Sequence, residues 1–334
     1  MRRTYTFDEV ALVPQYNNIP SRTEPALGTW LTRTQKATIP LIAANMDTVI
    51  GESLADVMID NGTVPIFHRF TPFIEQQAWV KRYPEQTYIS AGMHQGNEIR
   101  DLLENGALGV CIDVAHGHSD QMLRFLESLK RDYPDKQCIA GNVCTAMAYH
   151  DLVNAGADAV KVGIGPGAAC TTRLVTGFGV PQFSAVRECA EVASKLRVPL
   201  IADGGIRNSR DIVLALAAGA STVMIGKLFA LTEESAAGKR DGDEGQREAK
   251  YRGQASEDFQ NDFYGGLKSK TVAEGTDFWA PVSGSAQALI DDLLGGLRSG
   301  MTYGGARTIE ELQRKAEFIE VGPAYAEESR PRGN

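Results

Sequence analysis

The chain has few cysteines and no excess of positive charge. Its five cysteines are an odd number and have no paired CxxC spacing, which argues against a disulfide framework or a cysteine-based zinc site. Lysine and arginine together number 34, against 42 aspartates and glutamates. This acidic balance, with no basic stripe, argues against a nucleic-acid binder. We expect free thiols and no structural metal.

Long apolar runs are also missing. No uninterrupted stretch approaches the roughly 20 apolar residues that cross a bilayer. The first six residues lack the apolar core of a signal peptide. These absences predict a cytoplasmic protein without a membrane partner.

What the sequence does contain is a recurring alternation of short apolar runs and helical stretches. Three of the helical stretches end in the same way, with a glycine before alanine at Gly106, Gly156 and Gly219, as helix C-caps commonly do. Eight apolar runs fit buried parallel strands, at residues 41–45, 64–68, 88–92, 109–113, 137–142, 159–163, 200–203 and 222–226. The pattern predicts a single-domain (β/α)₈ TIM barrel over residues 1–334, with a doubly wound open sheet as the alternative.

Polar residues collect where these runs end, which is where such barrels carry their active sites. The residues at these ends are Asn45, Met46, Asp47, His68, Arg69, Asp113, Asn142 and Asp203. After the last two runs come Gly204 and Gly205, and Gly226 and Lys227, where backbone N–H groups often bind phosphate. Asp203 could hold a ribose diol there, or it could simply cap the following helix.

The glycine-rich segment at residues 163–173 points most directly to chemistry. Gly163, Gly165 and Gly167 allow a tight turn that brings backbone groups against a ligand, and Cys170 follows the turn. Nearby N–H dipoles and a basic neighbour, Arg173, would favour the nucleophilic thiolate. The alternative is a small buried cysteine beside a structural turn.

Together these motifs resemble the IMP dehydrogenase and GMP reductase family. The resemblance is carried by residues 44–49, 163–173, 203–207 and 297–301 and covers nearly the whole chain. It implies a barrel, usually a homotetramer, in which Cys170 attacks C2 of a purine nucleotide and hydride passes between that carbon and a nicotinamide. It also implies a substrate site formed by Asn45, Met46, Asp203, Gly204, Gly205, Gly226, Lys227, Tyr251, Gly253 and Gln254.

Within this family, the resemblance favours the reductase activity. Dehydrogenases carry an Arg-Tyr pair on a mobile flap, with the arginine activating water, but residues 262–266 place no arginine beside Tyr264. Only a short connection separates His94 from Val110, where many dehydrogenases have a regulatory insertion. Residues 68–70, 176–179 and 255–260 are similar to segments of bacterial GMP reductases.

The expected reaction is therefore the removal of the 2-amino group of GMP with NADPH, which gives IMP and ammonia. Thr172 and Glu274 match the pair that handles the proton of the leaving amine, although Glu274 could instead be a solvated loop carboxylate or a purine contact. The nicotinamide side of the pocket is matched by Asp113, Val114, Ala115, His116, Asn142 and Gly163. The histidines His116 and His118 could alternatively belong to a satisfied loop. Carbonyls around Gly165, Gly167 and Cys170 correspond to a potassium loop in many relatives.

Two departures from the family pattern bear on the ligand. Ala168 stands where many relatives have a serine that touches the phosphate, and Gln254 replaces a methionine or small residue beside the base. Three alternatives therefore stay open: an IMP dehydrogenase with Arg252 or Lys268 as its base, an enzyme for a modified purine nucleotide, and a non-catalytic nucleotide-binding protein.

Residues 236–276 are predicted to form a mobile flap, with a flexible surface segment at 236–246, and the tail after Val321 is predicted to be disordered.

Overall fold

The computed structural model describes residues 2–242 and 245–331. Its strands are β1 (Val10–Leu12), β2 (Thr29–Trp30), β3 (Lys36–Ala37), β4 (Leu41–Ala43), β5 (Ile66–Phe67), β6 (Tyr88–Ala91), β7 (Gly109–Asp113), β8 (Gln137–Val143), β9 (Ala159–Val162), β10 (Leu200–Asp203), β11 (Thr222–Ile225), β12 (Lys239–Asp241), β13 (Arg247–Arg252), β14 (Asp277–Pro281) and β15 (Phe318–Glu320).

A short 3₁₀ helix precedes β1 at Phe7–Glu9. The α-helices are α1 (Glu52–Asp60), α2 (Phe73–Arg82), α3 (Gly96–Glu104), α4 (Asp120–Asp132), α5 (Ala146–Asn154), α6 (Thr172–Thr176), α7 (Gln182–Leu196), α8 (Ser209–Ala217), α9 (Lys227–Ala230), α10 (Glu257–Tyr264), α11 (Ala286–Tyr303), α12 (Ile309–Lys315) and α13 (Pro323–Glu328).

Strands β4 to β11 form one parallel eight-stranded sheet. The strands from β5 to β11 neighbour one another in chain order, and β11 then pairs with β4. A doubly wound sheet would reverse its strand order part-way, so this cyclic order confirms the barrel. Seven of the eight predicted apolar runs contain one of these strands, and the run at 137–142 covers all of β8 except Val143.

The barrel strands are apolar because both of their faces are covered. Leu41, Ile42, Ile89, Val160 and Ile201 are among many strand side chains with at most 1% of their surface exposed. The predicted helix ends are also confirmed, because Gly106, Gly156 and Gly219 all have φ near +110°, which favours glycine.

Smaller antiparallel units accompany the barrel sheet. Strand β1 pairs with β15, so residues from both ends of the chain meet. Strands β12, β13 and β14 form a three-stranded sheet within and beside the predicted flap, and helix α10 follows β13. The flexible surface segment was predicted over residues 236–246, but β12 is paired with β13 there; Asp243 and Glu244 lie outside the described residues. The mobility of the flap stays a prediction.

The tail after Val321 differs from its prediction. Helix α13 forms there, with Pro323 in its first turn, where the fixed φ of proline is compatible with a helix. The guanidinium of Arg210 lies 6.0 Å from the ring of Tyr325, which gives the helix a contact with the barrel. Residues 332–334 of the tail lie outside the described residues.

Candidate active site

A cleft of about 320 Å³ opens at the carboxyl ends of the barrel strands. It brings together most of the predicted site residues, namely Asn45, Met46, Asp113, Val114, Ala115, Asn142, Gly163, Gly165, Gly167, Cys170, Thr172, Asp203, Gly204, Gly226, Tyr251, Gly253, Gln254 and Glu274. These residues therefore lie together at one cleft, and their role as a functional site stays a prediction.

The loop after β9 holds Cys170 at the cleft wall. Gly163 has φ +154°, and a Cβ there would lie 2.0 Å from the carbonyl oxygen of Asp203, so no larger residue fits. The Arg173 side chain donates to the carbonyls of Ile164 at 3.1 Å and Val180 at 2.6 Å. Arg173 thus stabilises the loop from within.

Cys170 and Thr172 are in direct contact. The thiol donates to the Thr172 hydroxyl oxygen across 3.3 Å, a normal distance for a hydrogen bond from sulfur. The flap is joined to the same loop by its backbone, because the Thr171 N–H donates to the carbonyl of Glu274 at 2.9 Å and the Thr276 N–H donates to that of Ala169 at 2.9 Å. These bonds hold the half-buried Glu274 in the same wall as the thiol and the hydroxyl.

Asp203 faces the cleft and does not cap a helix. Its carboxylate accepts from the Asn142 amide at 2.9 Å and from the Lys161 ammonium at 3.0 Å. Helix α8 is instead capped by Asn208, whose side chain accepts from the Asp211 N–H. Asp203 is therefore available as a hydrogen-bond acceptor at the cleft wall.

On the opposite side of the cleft, the flap meets the loop after β4. The Gln254 side chain donates to the carbonyl of Asn45 at 2.8 Å, and the Tyr251 hydroxyl lies 3.7 Å from the sulfur of Met46. Burial raises the pKa of Tyr251 well above its usual value, so it keeps its hydroxyl proton. A Cβ at Gly226 would lie 2.6 Å from that hydroxyl, which explains the glycine.

Three predicted residues do not line this cleft: Gly205, Lys227 and His116. The Lys227 ammonium lies 5.3 Å from the ring of Phe278, because the side chain leaves α9 toward β14. The His116 ring lies 6.5 Å from that of His118. His118 contacts Asp151 at 2.9 Å, which supports the reading of a satisfied loop for this histidine.

Sequence reasoning missed one central residue of the site, Lys161. Its side chain is 2% exposed and lies between Asp113 and Asp203. The available signal was a lysine inside the otherwise apolar strand β9, since an unpaired ammonium is rarely buried there. Gln260 and Arg69 also line the cleft without having been assigned a role.

The described residues form neither a membrane-spanning helix nor a cluster of metal-binding side chains. Among the described helices, none combines the length and apolar character needed to span a membrane. Across residues 2–242 and 245–331, no group of three or more His, Cys, Asp or Glu side chains could hold a metal ion. The carbonyl of Gly167 accepts from the Cys170 N–H at 3.0 Å, so one carbonyl of the predicted potassium loop already has a partner.

Comparison with known proteins agrees with this geometry. The family model described as IMP dehydrogenase / GMP reductase domain matches residues 4–332. The chain belongs to this family. Its members are oxidoreductases that use a nicotinamide cofactor.

Relatives with both activities are similar to the chain. Inosine-5'-monophosphate dehydrogenase from Aquifex aeolicus (strain VF5) is 45% identical over 75% of this chain and 54% of its own length. GMP reductase from Aliivibrio fischeri (strain MJ11) is 34% identical over 94% of both chains. The chain spans about half the length of several dehydrogenases that it matches, such as the one from Aquifex aeolicus.

Among solved structures, GMP reductase from Trypanosoma brucei in complex with guanosine 5'-monophosphate is similar over the whole fold. The TM-score is 0.93 at 27% identity, covering 100% of this chain and 98% of that chain. The barrel fold and its family are thus established by independent comparisons.

Proposed function

We propose that this protein is a GMP reductase that converts GMP, NADPH and a proton to IMP, ammonia and NADP⁺. The observation that carries the proposal is the contact of Cys170 with Thr172, in a cleft that Glu274 also lines. A nucleophile, a hydroxyl and a carboxylate together suit the expulsion of an amine.

In the first half of the reaction, the Cys170 sulfur bonds to C2 of GMP, the thiol loses its proton and the C2–N bond breaks. The leaving amine gains this proton through Thr172, which the thiol contacts, and through Glu274. The hydroxyl suits this relay because it both accepts and donates. Such proton transfer contributes about two to four orders of magnitude in rate.

In the second half, hydride adds to C2, the C–S bond breaks and the Cys170 thiolate is released with IMP. NADPH supplies this hydride when bound. Asp113, Val114, Ala115, Asn142 and Gly163 would hold it, and they fit a ligand rich in donors because the buried Oδ1 of Asn142 has no partner in the structure. Burial without a partner is costly for an amide oxygen.

The higher identity to the dehydrogenases makes IMP dehydrogenase the second candidate. That reaction needs a base to activate water. Arg252 is poorly suited to this role, since its guanidinium bonds Asp47, Asp258 and Asp262. Although burial opposes the charge, these carboxylates raise the pKa of Arg252 above its already high value. Lys268 is exposed and does not line the cleft.

Two further properties rest on the family resemblance, the tetramer and the potassium site, and a third, the cytoplasmic location, rests on the sequence. We propose a cytoplasmic homotetramer, and we retain potassium at the loop of Gly165, Gly167 and Cys170 as a prediction. Replacing KCl with NaCl in the assay tests the potassium loop, and light scattering tests the tetramer.

The deciding experiment follows the nicotinamide absorbance of the purified protein, with GMP and NADPH in one reaction and IMP and NAD in another. We expect loss of NADPH and release of ammonia with GMP, and neither with Cys170→Ala. Thr172→Val should lower kcat by about 100-fold or more, whereas the matched Thr172→Ser keeps most of the activity. NADH formed from IMP would identify a dehydrogenase instead. Binding of GMP without turnover in either reaction would indicate a binding protein.

A further inference from the structure

Lys161 lies at the centre of a buried polar network beneath the cleft. Its ammonium is 2.8 Å from Asp113, 3.0 Å from Asp203 and 3.3 Å from the side-chain oxygen of Asn45. The network extends further, because Asn45 donates to the Ser90 hydroxyl at 2.8 Å and Asn142 donates to Asp203. Its members come from six of the eight barrel strands or the loops directly after them.

These contacts use the full donor capacity of the lysine. An ammonium carries three N–H donors and no acceptor. Four side chains surround it, because the Met224 sulfur at 3.7 Å adds to the oxygen atoms of Asp113, Asp203 and Asn45. No donor is left for a bound nucleotide. Lys161 can therefore act on a ligand only through the residues that it holds.

The charges explain why the network needs a lysine. Asp113 and Asp203 would otherwise face each other as two carboxylates, and like charges at short range repel. Burial disfavours the ammonium, but attraction to the two carboxylates outweighs this effect and raises the pKa of Lys161. The other titratable groups that face the network are Cys111 and Tyr251, and burial raises the pKa of Cys111 to about 12 and that of Tyr251 beyond its usual range. Both stay neutral near pH 7, so among these groups Lys161 supplies the positive charge, which offsets one of the two carboxylates.

We propose that Lys161 is a positioning residue that fixes the orientation of Asp113 and Asp203 and offsets the repulsion between their carboxylates, so that the cleft presents both acceptors to the ligands at once. In the reductase proposed above, Asp203 serves the nucleotide and Asp113 the cofactor. That assignment of the two subsites rests on the proposed function. The electrostatic interaction of Lys161 with the two carboxylates does not depend on it.

The test compares Lys161→Met with Lys161→Arg, which keeps the charge, and with Lys195→Met, a control at an exposed position on α7. For Lys161→Met we expect kcat/KM to fall by about 100-fold, as misplacement by about 1 Å does. The acid side of the pH profile of kcat/KM should move up by about one pH unit, because one carboxylate takes up a proton to relieve the repulsion. Lys161→Arg should restore the pH profile at least in part. A folded Lys161→Met with wild-type kcat/KM and pH profile would overturn the proposal.

A second measurement needs no turnover, so it separates failure of this proposal from failure of the proposed function. Potentiometric titration of the unliganded proteins between pH 7 and pH 4.5 should show about one more proton taken up by Lys161→Met than by wild type. Equal uptake would count against the proposal whatever the enzyme's reaction. If Lys161→Met does not fold, the double variant Lys161→Met/Asp113→Asn removes the repulsion. It should fold and lose the extra proton uptake; failure of this variant to fold would indicate that Lys161 acts through packing and not through charge.

Discussion

At the scale of single residues, burial decides the charge of His68. The side chain is 7% exposed, its Nδ1 accepts from the Phe70 N–H at 3.2 Å and its ring packs edge-on against Trp79. Burial lowers the pKa of His68 to about 4. In the unfolded chain a histidine titrates near 6.5, so between pH 6.5 and pH 4 the unfolded state binds the proton more strongly. Stability should therefore fall as the pH falls through this window, by up to about 3 kcal/mol.

The variant His68→Gln tests this dependence. It loses packing at every pH, but it has no proton to gain, so the free energy of unfolding of the variant should approach that of wild type as the pH falls. From pH 7.5 to pH 5 we expect the difference to narrow by about 2 kcal/mol, measured by urea unfolding. His94→Gln, at an exposed position, should follow wild type throughout. A constant difference for His68→Gln would show that His68 becomes protonated without unfolding the chain.

The positions of single residues also explain which cleft residues could be predicted from the sequence. Asn45, Asp113 and Asp203 were found because strand periodicity places them at strand ends. Gly205 and Lys227 were expected in the cleft because they adjoin residues that line it, but adjacency along the chain does not fix the direction of a side chain. Lys161 could not be found from propensity, since its burial depends on two carboxylates supplied by β7 and β10.

At the scale of elements, helix α10 is fastened to the barrel through Arg252 and an aromatic cluster. Arg252 is 14% exposed and bridges Asp47 of the barrel to Asp258 and Asp262 of the helix. The ring of Phe259 lies edge-on to Phe70 with centroids 4.7 Å apart. Burial raises the pKa of Asp47, and Arg252 opposes this shift. The ion pair with Arg252 thus offsets the cost of burying the Asp47 carboxylate. It also attaches helix α10 of the flap to the barrel.

Arg252→Met should therefore destabilise the protein by about 3 kcal/mol, because the Asp47 carboxylate stays buried without its partner. Trypsin should cut the flap faster, and KM for the nucleotide should rise because Gln254 and Gln260 line the cleft from the same segment. Chemical unfolding, limited proteolysis and steady-state kinetics measure these effects.

Two matched variants separate the ion pair from general surface effects. Arg240→Met removes an exposed pair with Glu248 in the same flap and should cost at most about 1 kcal/mol. Adding Asp47→Asn to Arg252→Met removes the buried charge, so part of the stability should return. Equal losses for Arg240→Met and Arg252→Met would contradict the role of Arg252 as the fastening residue.

At the scale of the whole molecule, the barrel could be predicted and the antiparallel sheets could not. Each parallel strand is signalled locally, by an apolar run followed by a polar turn and a helix. In contrast, β1 pairs with β15 near the other end of the chain, and β13 pairs with both β12 and β14. The pairing of these strands depends on tertiary contacts, so no local pattern in the sequence identifies which strand pairs with which. The flap was consequently recognised as a segment, while its sheet and helix were not.

This difference in exposure between barrel and flap predicts which amides exchange more slowly when a ligand binds. The barrel strands are enclosed on both faces, whereas β12, β13 and α10 are partly exposed. We therefore expect the flap elements to open by local motion more readily than the barrel. The loop after β9 and the flap both line the cleft, so the nucleotide of the proposed function should contact both. At a concentration 100 times its dissociation constant, a ligand stabilises the state that binds it by about 2.7 kcal/mol. Hydrogen exchange of the amides that become exposed by flap opening should therefore slow by up to about 100-fold.

Hydrogen exchange followed by mass spectrometry, with and without GMP, measures this effect segment by segment. We expect strong protection in residues 163–173 and in α10, and little change in α13, which lies away from the cleft and whose last turn is exposed. Cys170→Ala should show the same protection by GMP, because phosphate, ribose and base contacts do not need the thiol. Protection that appears in α13 but not in α10 would place the nucleotide outside the cleft, and the assignments of Asp203 and Tyr251 to its binding would then be wrong.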